Sequence, residues 1–272
     1  MKKIAGKYRY PLILLRELVK TDFKLRYQGS ILGMLWSVLK PLMLFAVMYM
    51  VFVHFLRFGA GVPHFATSLL LAIALWSFFE EVTSRSMLTI VGNGDLLRKI
   101  NFPKYIMVIS TAINALINFV ITVVIVIIMA AVDGVSFHWH ILLIPLVLIQ
   151  LFVLAMGVSF LLATLYVKFR DIAHIWEVLL RIAFYATPII YPISMIANMA
   201  NPMIAKAMVV FNPMAQIIQD ARYLIVTPET ETVWSLVHNF WVALIPIFIT
   251  IVIAVLALIY FRKNSKNFAE II

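Results

Sequence analysis

Apolar positions run along this chain in long blocks rather than in alternation. Six windows, roughly 31–56, 66–91, 105–132, 141–167, 172–195 and 236–261, are each long enough for a helix that crosses a bilayer, which takes about 20 mostly apolar residues. The third is the purest, since Tyr105 to Val132 contains no charged residue. Helices satisfy their backbone hydrogen bonds within one segment, and strand-like alternation is weak. The pattern therefore predicts an all-α integral membrane protein with six transmembrane helices.

Two other patterns interrupt the blocks. Residues 11–29 begin PLILLRELVKTDFKLRY, which sets Leu12, Leu15, Val19 and Phe23 on one helical stripe and Arg16, Lys20 and Lys24 toward the other face. A basic amphipathic stretch just before a span predicts a helix lying in the membrane interface. From Thr187 to Pro228, five prolines separate short apolar pieces such as MIAKAMVVF and MAQIIQDARYLIV. Neither piece can span. Pro202 and Pro213 each follow an asparagine, a dipeptide that suits a helix start. Two short re-entrant or interfacial helices are expected in this last external loop. No internal repeat or soluble domain stands out, so residues 1–272 read as a single transmembrane domain.

Charge gives this reading a direction. Only 12% of residues are charged and the net charge is +10, a balance that would raise nucleic acid as a partner in a soluble protein. Here the cations sit in short loops. Sixteen Lys/Arg fall on one side: eight within 1–30, three in the 92–104 island, two in the 168–171 turn and three in the tail. Arg57, Lys206 and Arg222 fall on the other side, and Lys40, Arg85 and Arg181 lie inside the windows. Positive loops stay inside, so both termini and the segment GNGDLLRKINFPK are expected to be cytoplasmic. The N-terminus does not read as a cleavable signal peptide, because Arg16 and Glu17 cut its first apolar stretch. The chain has no cysteine, which excludes disulfides, thiol catalysis and Cys-based metal sites. It also has no G-x-x-x-x-G-K-[ST] phosphate loop, no G-x-G-x-x-G and no H-E-x-x-H. His138 and His140 flank Trp139 in an external loop, where an interfacial role fits better than metal binding.

Ionisable residues within membrane windows are costly and point to function by default. Lys40, Glu80, Glu81 and Arg181 fall at similar depth, so an ionic cluster inside the bundle is expected. Glu81/Arg85 and Glu177/Arg181 are also i,i+4 pairs that can neutralise each other within a helix. The charges therefore either let the bundle pack or line a path for a polar, anionic substrate. Trp36, Tyr49, Phe184 and Tyr185 are aromatic candidates for the same path, where rings could stack on sugars.

The stretches DFKLRYQGSILGMLWSVLKPL, GNGDLLRKINFPKY, VKFRDIAHIWEVLLRIAFYATPIIYPISMI, FNPM with Arg222 downstream, and YFRKNSKNFAE follow in this order. Together they resemble the membrane subunits of polysaccharide and polyol-phosphate exporters, ABC transporters of type-2 export architecture that include the O-antigen and teichoic-acid export permeases. The likeness covers nearly the whole chain. Lys40 departs from it, since an uncharged residue is expected before Pro41. The resemblance implies that residues 93–104 form a cytoplasmic coupling segment docking into a separate ATPase. Leu96, Leu97, Ile100 and Phe102 would enter a groove there. Asp95, Arg98, Lys99 and Pro103, with Arg170 and Asp171 of the next cytoplasmic turn, would complete the contact.

The resemblance also implies a homodimer with two ATP-binding subunits, with windows one and five lining the passage and residues 196–222 shaping its exit. ATP and magnesium would sit on the partner, with no cofactor on this chain. The cargo would be a lipid-linked glycan or polyol-phosphate polymer crossing the bacterial cytoplasmic membrane. An ion-coupled secondary transporter or channel is one competing reading, and an ABC exporter of small lipids or drugs is another. A membrane enzyme acting on polyprenyl-linked sugars is a third, but the only adjacent acidic pair, Glu80-Glu81, lies too deep to hold a metal-diphosphate.

Overall fold

The computed structural model describes residues 2–28, 33, 35–57, 61–100, 102–199 and 202–271. Among them the chain is helical, with no strand. Helix α1 spans Lys2–Tyr27, and α2 (Leu35–Met48) runs on as a π-helical stretch, Tyr49–Phe55. Then come α3 (Phe65–Gly92), α4 (Gly94–Lys99), α5 (Tyr105–Val132), α6 (Ile144–Lys168) and α7 (Ile172–Ala186). Short helices follow: α8 (Ile193–Met199), α9 (Pro202–Phe211), α10 (Pro213–Ile225), α11 (Val233–Leu236) and α12 (Phe240–Ala243). The long α13 (Ile245–Asn264) and the terminal turn α14 (Phe268–Ile271) complete the chain.

Four helices are long and apolar enough to cross a membrane: Phe65–Gly92, Tyr105–Val132, Trp139–Lys168 with its leading 3-10 turn, and Ile245–Asn267. The other two windows give shorter elements. Residues 31, 32 and 34 of the first window lie outside the described residues, and its α2 is followed by wider π turns. The fifth window ends as a helix at Ala186, because Thr187 precedes Pro188 and turns extended. Its 15 residues reach about 22 Å, short of a hydrocarbon core of about 30 Å. In the sixth window the spanning helix starts only at Ile245; Leu236 ends α11, and residues 237–244 form an irregular link and the short α12.

Helix α3 is the centre of the bundle. It packs against α5, α6, α7 and α10 and is buried along most of its length. This explains its many small and hydroxyl side chains. Small residues let backbones approach, and hydroxyls can bond within their own helix where water is absent. Thr83 donates to the Phe79 carbonyl at 2.8 Å, and Ser159 of α6 donates to the Val82 carbonyl at 3.4 Å. Helices α6 and α13 cross closely at Gly157, where an added Cβ would come 2.8 Å from the Ala254 Cα. Helix α1 lies against α5, with Leu14, Leu15 and Leu18 toward the bundle. The expected stripe is largely kept: Leu15, Val19 and Phe23 are half-buried and Arg16, Lys20 and Lys24 exposed, and only Leu12 departs from it. Asp22 on this helix faces Arg85 of α3. Partial burial raises its pKa, and Arg85 opposes that rise.

Candidate functional site

At the end of the bundle that carries the C-terminus, α3 hands over to α4 after Gly92. Asp95 sits in the first turn of α4, and Arg98 and Lys99 in its last, each matching the sign of the helix dipole. This single turn has two unlike faces. Asp95, Arg98, Lys99 and Ile100 are exposed, and Leu96 and Pro103 are half-buried. Leu97 and Phe102 are only 4% and 3% exposed. Both lie in a cluster with Ile106, Phe160, Phe261 and Phe268.

This corrects the expectation that Leu97 and Phe102 enter a partner's groove. They are staples that fasten the segment to its own bundle. Proximity favours this outcome: α5 follows within a few residues, and the C-terminal turn α14 closes over α4 and α6 with Phe268 fully buried. Asn101 lies outside the described residues. In the turn after α6, Arg170 and Asp171 are exposed, and the Arg170 guanidinium sits 5.2 Å above the Tyr166 ring. Phe169, just before them, is exposed too, an apolar side chain that the sequence reading passed over.

The intramembrane charges do not form one network among the described residues. Glu81 pairs with Arg85 at 3.5 Å and accepts from Asn118 at 3.1 Å. Arg181 pairs with Glu177 on its own helix and is largely exposed. Lys40 is the cation acting on Glu80, and both are exposed. The aromatic candidates also separate. Trp36, Tyr49 and Tyr185 are exposed. Phe184 packs edge-on against Trp76, in a group completed by Phe79 and Trp176. Helix α7 buries Leu180 against the bundle and leaves Ile175, Val178, Leu179 and Ile182 exposed. The exposed side of α2 carries Leu35, Trp36, Met43 and Val47.

The opposite end is organised by a side chain that the loop count had assigned to the external side. Arg222 is 3% exposed. Its guanidinium donates to the carbonyls of Pro188 at 2.8 Å, Ile189 at 2.7 Å and Ser68 at 3.3 Å. It thereby ties α10 to the break after α7 and to the start of α3. Asn212 caps α10 by accepting from the Met214 and Ala215 amides, while its amide group donates to Thr187 at 2.9 Å. Asn-Pro-Met, Thr-Pro-Ile and Arg222 are thus one joint.

Beside it, a cavity of about 870 Å³ opens between α6, α10 and α13. Its polar floor is a chain in which Gln150 donates to Gln216 at 2.6 Å and Gln216 donates to Asp220. Burial pushes the Asp220 pKa up to about 6 from 3.8; hydrogen bonds from Gln216 and Trp234 oppose the rise. The fold therefore keeps this proton where the unfolded chain would release it. The stabilisation is complete below about pH 4 and is lost as pH climbs through about 6. Asp220→Asn is expected to flatten that pH dependence and to raise stability at pH 7 by on the order of 2–3 kcal/mol. Melting curves from pH 4 to 8 in detergent would check this.

A long, mostly apolar bundle with short charged turns at one end and a locked cap at the other defines a multi-pass membrane protein. Residues 13–226 match the ABC-2 type transporter family, and the chain belongs to that family. It is 27% identical over 260 residues to the O-antigen export system permease protein RfbA of Myxococcus xanthus, covering 94% of each chain. It is 28% identical over 263 residues to a protein of the same name from Klebsiella pneumoniae, covering 95% of each.

Proposed function

We propose that this chain is the membrane subunit of an ATP-driven exporter that moves a lipid-linked polysaccharide or polyol-phosphate polymer, such as an O-antigen or teichoic acid, from the cytoplasmic to the outer face. The observation that carries the reading is the match to O-antigen export permeases along nearly the full length of both chains. ATP and magnesium would bind a separate subunit, docked on Asp95, Arg98, Lys99 and Ile100 with Phe169, Arg170 and Asp171. The exposure of these residues on or just after α4 and α6, two helices that the C-terminal turn α14 touches, supports this.

The full assembly would be a homodimer with two ATPases. The apolar outer faces of α2 and α7, which carry Trp36, Tyr49, Tyr185 and Arg181, support a passage between two copies. In this reading α2 with its π turns and α7 with the following break complete six crossings, and α8 to α10 dip into the outer leaflet. Both termini then face the cytoplasm of a bacterial inner membrane.

The test is co-purification with a co-expressed ATP-binding subunit. Arg98→Glu with Lys99→Glu changes only exposed side chains. The pair is expected to cut recovery of the ATPase at least tenfold and to stop surface display of the polymer, with the permease still monodisperse. Recovery of the ATPase at wild-type levels would remove the docking assignment. An intact surface polymer after deletion of the chain would remove the export function.

A further inference from the structure

A second cavity, of about 860 Å³, lies beside the coupling segment on the flank formed by the start of α5 and the end of α13. Its rim carries Lys104, Arg262 and Lys266, and none of the described residues that line it is acidic. Among the described residues these three side chains form no ion pair, whereas Lys20, Arg85 and Arg181 each do. The floor is apolar, formed by Ile109, Phe160 and Leu258.

The spacing has a direction. Ile109 is five residues into α5 from Lys104, and Leu258 is four residues before Arg262 on α13, so the floor lies about 6–8 Å deeper along the helices than the rim. Next to it, Val255, Leu256 and Ile259 on α13 are exposed and apolar, as a face toward hydrocarbon would be.

We propose that this groove holds one anionic phospholipid of the bilayer, its phosphate among Lys104, Arg262 and Lys266 and an acyl chain over Ile109 and Leu258. Three clustered cations need a counter-charge, and basic pockets between membrane helices take lipid head groups. A free phosphate would satisfy the rim and leave the apolar floor uncovered. A soluble partner would have to reach one to two helical turns into the membrane. Phe102, Pro103 and Lys104 itself, which close segment 93–104, line the same groove. The lipid thus buttresses the segment that we assign to ATPase docking, but the site needs only the permease.

The test uses the permease alone, stripped of lipid in detergent and titrated with dioleoylphosphatidylglycerol or dioleoylphosphatidylcholine, with bound lipids counted by native mass spectrometry. One phosphatidylglycerol per chain is expected at concentrations where phosphatidylcholine does not bind. The triple change Lys104→Gln, Arg262→Gln, Lys266→Gln should weaken it about a hundredfold, at about 1 kcal/mol per cation. Lys266→Gln alone, a change at an exposed position, should weaken it about fivefold and keeps the test valid if the triple variant misfolds.

Ile109→Trp keeps the charges and fills the floor, so it should also displace the lipid. Equal binding of the two lipids would overturn the proposal, as would wild-type binding by Lys266→Gln or by Ile109→Trp. Competition by millimolar inorganic phosphate would mean an anion site rather than a lipid site. Undecaprenyl phosphate binding tenfold tighter than phosphatidylglycerol would assign the groove to cargo instead. If the cation variants bind lipid normally but lose a co-expressed ATP-binding subunit, the rim faces protein and the lipid site is refuted.

Discussion

Arg222→Met is expected to dismantle the end of the bundle opposite the termini. The variant leaves the carbonyls of Pro188 and Ile189 buried without their donors, and the Ser68 carbonyl loses its link as well. Each buried acceptor left unpaired costs about 1–3 kcal/mol, so the loss is about 4 kcal/mol in all. Melting in detergent should fall by about 10 °C for a chain of this size. Arg222→Lys should rescue little of this. An ammonium is a point charge on a flexible stem and cannot reach two carbonyls as the planar fork does. Because the clamp holds α10 against the break after Ala186, the variant should also halt polymer export at temperatures where some protein remains folded. An unchanged melting point would mean that the carbonyls find other donors and that Arg222 is not the joint.

Leu97→Asp should be nearly as severe, for a different reason. It places a carboxylate among the buried apolar side chains of Ile106, Phe160, Phe261 and Phe268. The loss of apolar packing and the buried charge together cost about 4 kcal/mol. The coupling segment should detach, which limited proteolysis between α3 and α5 would detect as a new cleavage. Ile100→Asp, on the exposed side of the same segment, should leave the proteolysis pattern unchanged and weaken only the recovery of an ATPase. Detachment by both variants, or by neither, would contradict the two-faced geometry of α4.

Some features were plain in the sequence because they depend on local chemistry. The run Tyr105–Val132 is a helix with those same bounds, and Pro202 and Pro213 open helices as their asparagine-proline steps suggested. The amphipathic start is a helix, although it begins at Lys2 rather than near residue 11, and Pro11 lies within it. Segment 93–104 mixes apolar and charged residues, which the sequence shows directly. Which side faced inward was not visible, because that depends on Phe261 and Phe268, more than 150 residues away. The four intramembrane charges were grouped by depth alone. Depth ignores rotation about each helix, so that grouping does not form, whereas the two i,i+4 pairs read from spacing, Glu81 with Arg85 and Glu177 with Arg181, are both present, and Asn118 joins the first.

Arg222 shows the division most clearly. The loop count placed it on the external side, and the resemblance marked it downstream of FNPM, but neither gave its partners. Its acceptors are Ser68, Pro188 and Ile189. They converge only after α3, α7 and α10 have packed. The sequence by itself determined the class of protein: runs of apolar residues can bury their backbone only as helices in a membrane, and the resemblance of its motifs pointed to an export permease. The tertiary structure decided which polar groups are buried and which face of each helix is left for a partner or for lipid. Those outcomes depend on helix rotation and on contacts between distant segments, which no local pattern encodes.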